Sequence, residues 1–177
     1  MEHGKMRTEW TIHKFRDPDG EVERALRAGE SISAIVALYP RRFVGVEHIH
    51  DNCLLNEGIQ YLLDIIAGIE GSPTLWSVVN ARVGVGDSNA AAAPAQTDLQ
   101  AATNKAYVSM DSTYPSRNGQ TISFRGTFGA GAAEYAWEEY VVDNGSVSGK
   151  TLNRKVESKG TKGAGESWSL TVQITIS

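Results

Sequence analysis

Cysteine is almost absent from this chain. Cys53 is the only one, so no disulfide can form within it, which suits synthesis in a reducing cytoplasm. A basic surplus is absent too: 17 Lys and Arg stand against 21 Asp and Glu, a formal charge of −4. With no excess charge to neutralise phosphates, nucleic acid is not an expected partner. No apolar run approaches the roughly 18 residues of a membrane-spanning helix. The stretch from Ile59 to Ile69 comes nearest and is interrupted by Gln60, Asp64 and Gly68. Met1 to Trp10 is polar and charged, without the apolar centre of a signal peptide, so a soluble protein with no membrane partner is expected. What remains is ordinary globular material. The chain has 177 residues, 41% hydrophobic and 21% charged, enough for one domain whose core needs no covalent staple.

Period-2 alternation dominates the pattern. Trp168, Leu170, Val172, Ile174 and Ile176 alternate with Ser169, Thr171, Gln173 and Thr175, as in a strand with one buried face. Ile122, Phe124, Gly126 and Phe128 alternate in the same way within Gln120 to Phe128. Further strands are expected over Leu75 to Val85, Tyr135 to Val142, Leu152 to Ser158, Ala106 to Met110, Ile32 to Tyr39, Phe43 to Ile49 and Glu9 to Phe15. Turn chemistry separates them at Asp17-Pro18-Asp19-Gly20, Asn118-Gly119, Asn144-Gly145 and Lys159-Gly160.

One helix stands out. Ile59, Leu62, Leu63 and Ile66 recur at helical spacing, with Asn56 placed to cap the start and Gly68 to end it. Its apolar stripe is expected to lie across the sheets. Thr97-Asp98-Leu99-Gln100 has the form of a capping box and predicts a second, shorter helix. Gly86 to Pro94 and Gly160 to Glu166 lack any apolar pattern and are expected as exposed loops. The fold class that follows is mainly β (α+β): an antiparallel β-sandwich, jelly-roll-like or Ig-like, with one packed helix near residues 57–68. Residues 1–51 are expected as an N-terminal β segment or arm and residues 52–177 as the sandwich body, with the helix near 57–68, together one structural domain.

Few residues offer chemistry. His48 and His50 fall on one face of a strand, where two imidazoles can hold a divalent ion. No spacing ties in His3 or His13 as a third ligand, so two surface histidines are the stronger expectation, and a small metal-dependent hydrolase is the weakest functional alternative. Gly84-Val85-Gly86-Asp87 has two glycines of a dinucleotide loop but lacks the third and the following helix. Glu138 and Glu139 are adjacent, so on a strand they face opposite ways and cannot flank one glycosidic bond. One of them is expected in solvent, the other paired with Arg154 or Lys155. Cys53, beside Leu54 and Leu55, is expected as a small buried hydrophobe. Lys155, Lys159 and Lys162 are expected as a solvated basic edge. Trp76 and Tyr114 are the aromatic candidates for a glycan surface. No catalytic residue, cofactor or metal is assigned, and a non-enzymatic protein is expected.

A larger pattern runs from Asn52 to Ser177. NCLLNEGIQYLLDIIAG is followed by ARVGVGDSNAAAAPAQTDLQAATNKAYVSMDSTYP, then ISFRGTFGAGAAEYAWEEYVV, then LNRKVESKGTKGAGESWSLTVQITIS. This order of motifs resembles a family of small virion-associated proteins of tailed bacteriophages and prophages. The resemblance implies a structural role in the particle: a capsid decoration (cement) protein against the major capsid protein, or a tail, baseplate or fibre component that binds partner proteins or a host glycan. It implies residence in the virion after synthesis in the host cytoplasm. If the chain is a homo-oligomer, closed rotational symmetry is the default, and a trimer would suit the three-fold positions of a capsid.

Overall fold

A computed structural model describes residues 6–69, 71–145 and 149–177. The elements run β1 (Met6–Arg16), α1 (Glu21–Arg27), α2 (Ile32–Leu38), β2 (Phe43–His50), β3 (Cys53–Leu54), α3 (Asn56–Ala67), β4 (Arg82–Gly86), β5 (Lys105–Ser109), β6 (Ser116–Asn118), β7 (Thr121–Phe128), β8 (Glu139–Asp143), β9 (Thr151–Val156) and β10 (Glu166–Ile176). They make two five-stranded sheets, ordered β2-β1-β10-β7-β6 and β3-β9-β8-β4-β5, with every pairing antiparallel. This is the mainly-β, α+β sandwich that the alternation implied.

β10 shows why alternation was a sound guide. Trp168, Leu170, Val172 and Ile174 turn inward and are buried, while Gln173 is exposed. The strand pairs with β1 on one side and β7 on the other, so the N-terminal segment is a full member of the first sheet. Trp10 and Ile12 of β1 and Phe124 and Phe128 of β7 complete its inner face, against Val83, Val85, Tyr140 and Val142 of the second sheet. The indole of Trp137, in the loop before β8, fills the middle of this core. It meets Trp168 edge-on at 4.8 Å and Phe128 at 4.9 Å, geometries that add to its burial.

Four expectations are corrected. Ile32 to Tyr39 is helical, not a strand: Ile32, Ile35, Val36 and Tyr39 share one face and pack with Phe15, and the Ser31 hydroxyl accepts the Ala34 amide at 3.1 Å. Helix α1 carries no capping sequence at its own start. The Asp17 carboxylate instead accepts the amides of Val22 and Glu23 at 3.0 and 2.9 Å. The sandwich therefore carries three helices, of which only α3 was expected. Only the second half of Leu75 to Val85 is a strand, and Leu75, Val78 and Val79 are exposed before it. No helix follows Thr97, because the amides of Gln100 and Ala101 are taken by the Glu139 carboxylate at 2.8 and 2.7 Å.

The expected helix is present as α3, and Gly68 ends it in the left-handed conformation at φ 68°. Asn56 does not cap it. Leu55 holds the cap position, and the helix start is tied down by tertiary bonds: Asn56 amide to Pro94 carbonyl at 2.8 Å, and Thr151 amide to Glu57 Oε1 at 2.8 Å. The helix touches β9 through Gly58, where a Cβ would lie 2.6 Å from the Leu152 Cα. The apolar stripe thus does not lie across the sheets as expected: Gly58 is the one buried residue of α3, and Ile66 is 74% exposed.

Each sheet has its outer face fastened to a cover by a buried ion pair. On the first, Arg125 donates to Asp111 at 2.8 Å and to the Leu26 carbonyl at 2.8 Å, holding α1 down. On the second, Arg154 donates to Glu139 at 2.7 Å, to Gln96 at 3.0 Å and to the Ala90 carbonyl at 2.9 Å. Glu139 and Arg154 are both fully buried. A buried charge stripped of its partner is strongly destabilising, whereas removal of both charges is tolerated far better. Glu139→Gln and Arg154→Met are each expected to cost about 3–5 kcal/mol, and the double variant less than their sum. Urea unfolding of the four proteins measures this, and simple additivity would refute the coupling.

Candidate functional site

His48 and His50 lie on the exposed outer face of β2, in line with Val44 and Val46. The shared face is as the spacing required. Strand pairing sets Thr11 opposite His48, and the Thr11 hydroxyl lies 3.4 Å from the His48 Nδ1. It also sets His13 opposite Val46, bringing a third imidazole close enough to feel the charge of His48. Sequence spacing could not show this, because the proximity arises from cross-strand register. Among the described residues no group of three His, Cys, Asp or Glu side chains could hold a metal ion. His3 lies outside the described residues.

The other sequence candidates resolve into packing. Gly86 leaves β4 where a Cβ would meet the Glu139 carboxylate at 2.5 Å, so it makes room for the buried ion pair rather than for a phosphate. Glu138 accepts the Ser158 hydroxyl, whereas Glu139 is the buried partner of Arg154. Cys53 is half-buried on the edge strand β3. The basic edge does not exist as expected: Lys162 is fully buried, donates to the Gly129 carbonyl at 2.8 Å, and has its pKa lowered by that burial. Lys155 and Lys159 share Glu157 at 3.5 and 2.7 Å. Trp76 and Tyr114 are half-buried, Trp76 edge-on to Tyr61 at 5.8 Å and Tyr114 under the Arg125 guanidinium at 4.6 Å, so neither is a free stacking platform.

Two features were not foreseen. The first is an apolar surface on and after α3. Ile59, Leu63, Ile66, Ile69, Leu75, Val78 and Val79 are all exposed large hydrophobics, Val79 at 82%. Seven such residues fall within 21 positions of chain, and Ile59, Leu63 and Ile66 among them recur at helical spacing. The sequence signal was there: apolar residues from Ile59 to Val79 are too many for one helical stripe. The second is a cavity of about 460 Å³ where β1, β7 and β10 end, lined by Met6, Leu62, Trp76, Ile122, Phe124 and Ile176 among others, with Arg117 beside them. Comparison with known proteins finds no matching family model, no matching curated protein and no matching solved structure. No helix among the described residues is long and apolar enough to cross a membrane.

His13 gives the outer face a measurable pH signature. Burial, then the charges of His48 and Arg125, lower its pKa from 6.5 to about 4. The unfolded chain therefore binds this proton first, so the contribution of His13 to stability is whole above pH 6.5 and declines as pH falls toward 4. Buried Asp111 and Asp143 have raised values and act in the opposite sense, so a difference measurement is needed. Relative to the wild type, His13→Gln is expected to lose less stability between pH 6.5 and 4, and parallel curves would contradict the assignment.

Proposed function

We propose that this chain is a structural protein of a tailed-phage virion, a capsid decoration protein that packs on the major capsid protein and strengthens the head through protein–protein contacts. The observation that carries the proposal is the exposed apolar surface of Ile59, Leu63, Ile66, Ile69, Leu75, Val78 and Val79. A monomer that leaves so much apolar area in water gains by covering it, at about 25 cal/mol per Å². The motif order from Asn52 to Ser177 adds the kind of partner.

The architecture suits the role. The sandwich is held by its core and two buried ion pairs, not by disulfides. Helix α3 stands off the body on a short contact and presents its stripe outward. A homotrimer at a three-fold position of the head would repeat that surface three times with closed symmetry. The role calls for no reaction, and the location is the virion, after synthesis in the host cytoplasm.

Ile66→Glu combined with Val79→Glu tests the proposal, because both side chains are mostly in water and the fold does not depend on them. The variant is expected to keep its melting temperature while its occupancy on purified particles falls roughly tenfold or more, as for charge placed at an interface centre. Undiminished occupancy would overturn the proposal. Antibody labelling of the tail instead of the head would move the role to a tail or baseplate component.

A further inference from the structure

We infer that the cavity at the open end of the sandwich is a binding site for a single-chain amphiphilic anion, a medium-chain carboxylate with its tail inside and its head at Arg117. The volume of about 460 Å³ falls within the range of small-ligand sites, roughly 300–1,000 Å³. Its depth is apolar and fixed by the main core: Phe124 and Ile174, both almost fully buried, form part of the wall, and Leu62 of α3 and Trp76 form another part. A saturated chain suits such a lining, since each methylene buried contributes about 0.8 kcal/mol.

The polar groups define the head. Among the described residues Arg117 is the only charged side chain in the lining, which holds no carboxylate side chain. It sits on the β6–β7 hairpin, where one guanidinium nitrogen donates to the Gly119 carbonyl at 2.8 Å. The remaining guanidinium N–H groups are available to a carboxylate, the acceptor that guanidinium geometry matches best. In the same wall the indole N–H of Trp76 has no acceptor among the described residues. A lining with donors and no acidic group selects an acceptor-bearing anion over a cation. This inference stands apart from the virion proposal: it concerns the interior of the sandwich end, not the exposed stripe of α3.

Decanoate, decan-1-ol and decyltrimethylammonium, each below its micelle concentration, are titrated into the full chain and followed by calorimetry and by tryptophan fluorescence. Saturable one-to-one binding of decanoate, weaker binding of the alcohol and none of the cation are expected. Arg117→Gln should weaken decanoate roughly tenfold, the scale of one charge-assisted hydrogen bond, and leave the alcohol unchanged. Ile122→Trp, which fills the cavity, should abolish both, and its unchanged melting transition shows that the fold survives. If that variant unfolds, Leu62→Trp fills the same space from α3. Absence of saturable decanoate binding, equal binding of the cation, or indifference to Arg117→Gln would each overturn the inference.

Discussion

Glu139 is fully buried, and each of its oxygens is occupied. One takes the Ala101 amide, and the other takes the Gln100 amide and the Arg154 guanidinium. Arg154 in turn holds Gln96 and the Ala90 carbonyl. Through this one carboxylate the Ala-rich segment between β4 and β5, whose one large apolar residue is Leu99, is laid over the outer face of the second sheet. That cover lets Leu99 and Ala101 be buried there, and it leaves the Pro94 carbonyl where it accepts the first amide of α3. The placement of the helix, and of the surface it presents, thus begins at a buried ion pair. Such a pair is a weak source of net stability but an exacting constraint on what can sit around it.

The helix is held at its base and, further along, by Tyr61 against Trp76 and by Leu62 at the cavity. Gly58 lets it approach Leu152, and Glu57 accepts the Thr151 amide. Beyond that first turn its apolar residues divide. Leu62 turns toward the cavity, while Leu63 and Ile66 turn to water. One short element therefore forms a wall of an interior space and the edge of an exterior patch. An amphipathic helix in a finished monomer usually covers its stripe, and the uncovered stripe here is the surface on which the proposed packing rests. The outer face of β2, with Val44 and Val46 exposed beside His48 and His50, is a smaller patch of the same character.

Strands were legible because side chains on a sheet alternate in direction with a period of two, which puts Trp168, Leu170, Val172 and Ile174 of β10 and Phe124 and Phe128 of β7 in the core, although Ser169, Arg125 and Thr127 on the other face are buried as well. Ile32 to Tyr39 misled because β-branched residues favour strands locally, while Phe15 and Leu26 offered a helical face something to pack on. Thr97 to Gln100 has a capping sequence whose amides found a stronger acceptor in a distant carboxylate. The opposite directions of Glu138 and Glu139 followed from parity, which left Arg154 and Lys155 both open as the partner; the register of β8 and β9 chooses Arg154. The burial of Lys162, the nearness of His13 to His48 and the cavity beside Arg117 depend on tertiary register, which no local pattern encodes. The exposed stripe of α3 was visible as a helix but not as a surface, since periodicity identifies an apolar face without saying what covers it.

The proposed role is repeated packing of this sandwich against a capsid lattice. The most direct measurement is the number of copies per purified particle, by quantitative mass spectrometry against the major capsid protein. The account predicts a copy number comparable to that of the capsid protein. A handful of copies would place the chain at the tail or portal, and its absence from the particle would contradict a structural role altogether.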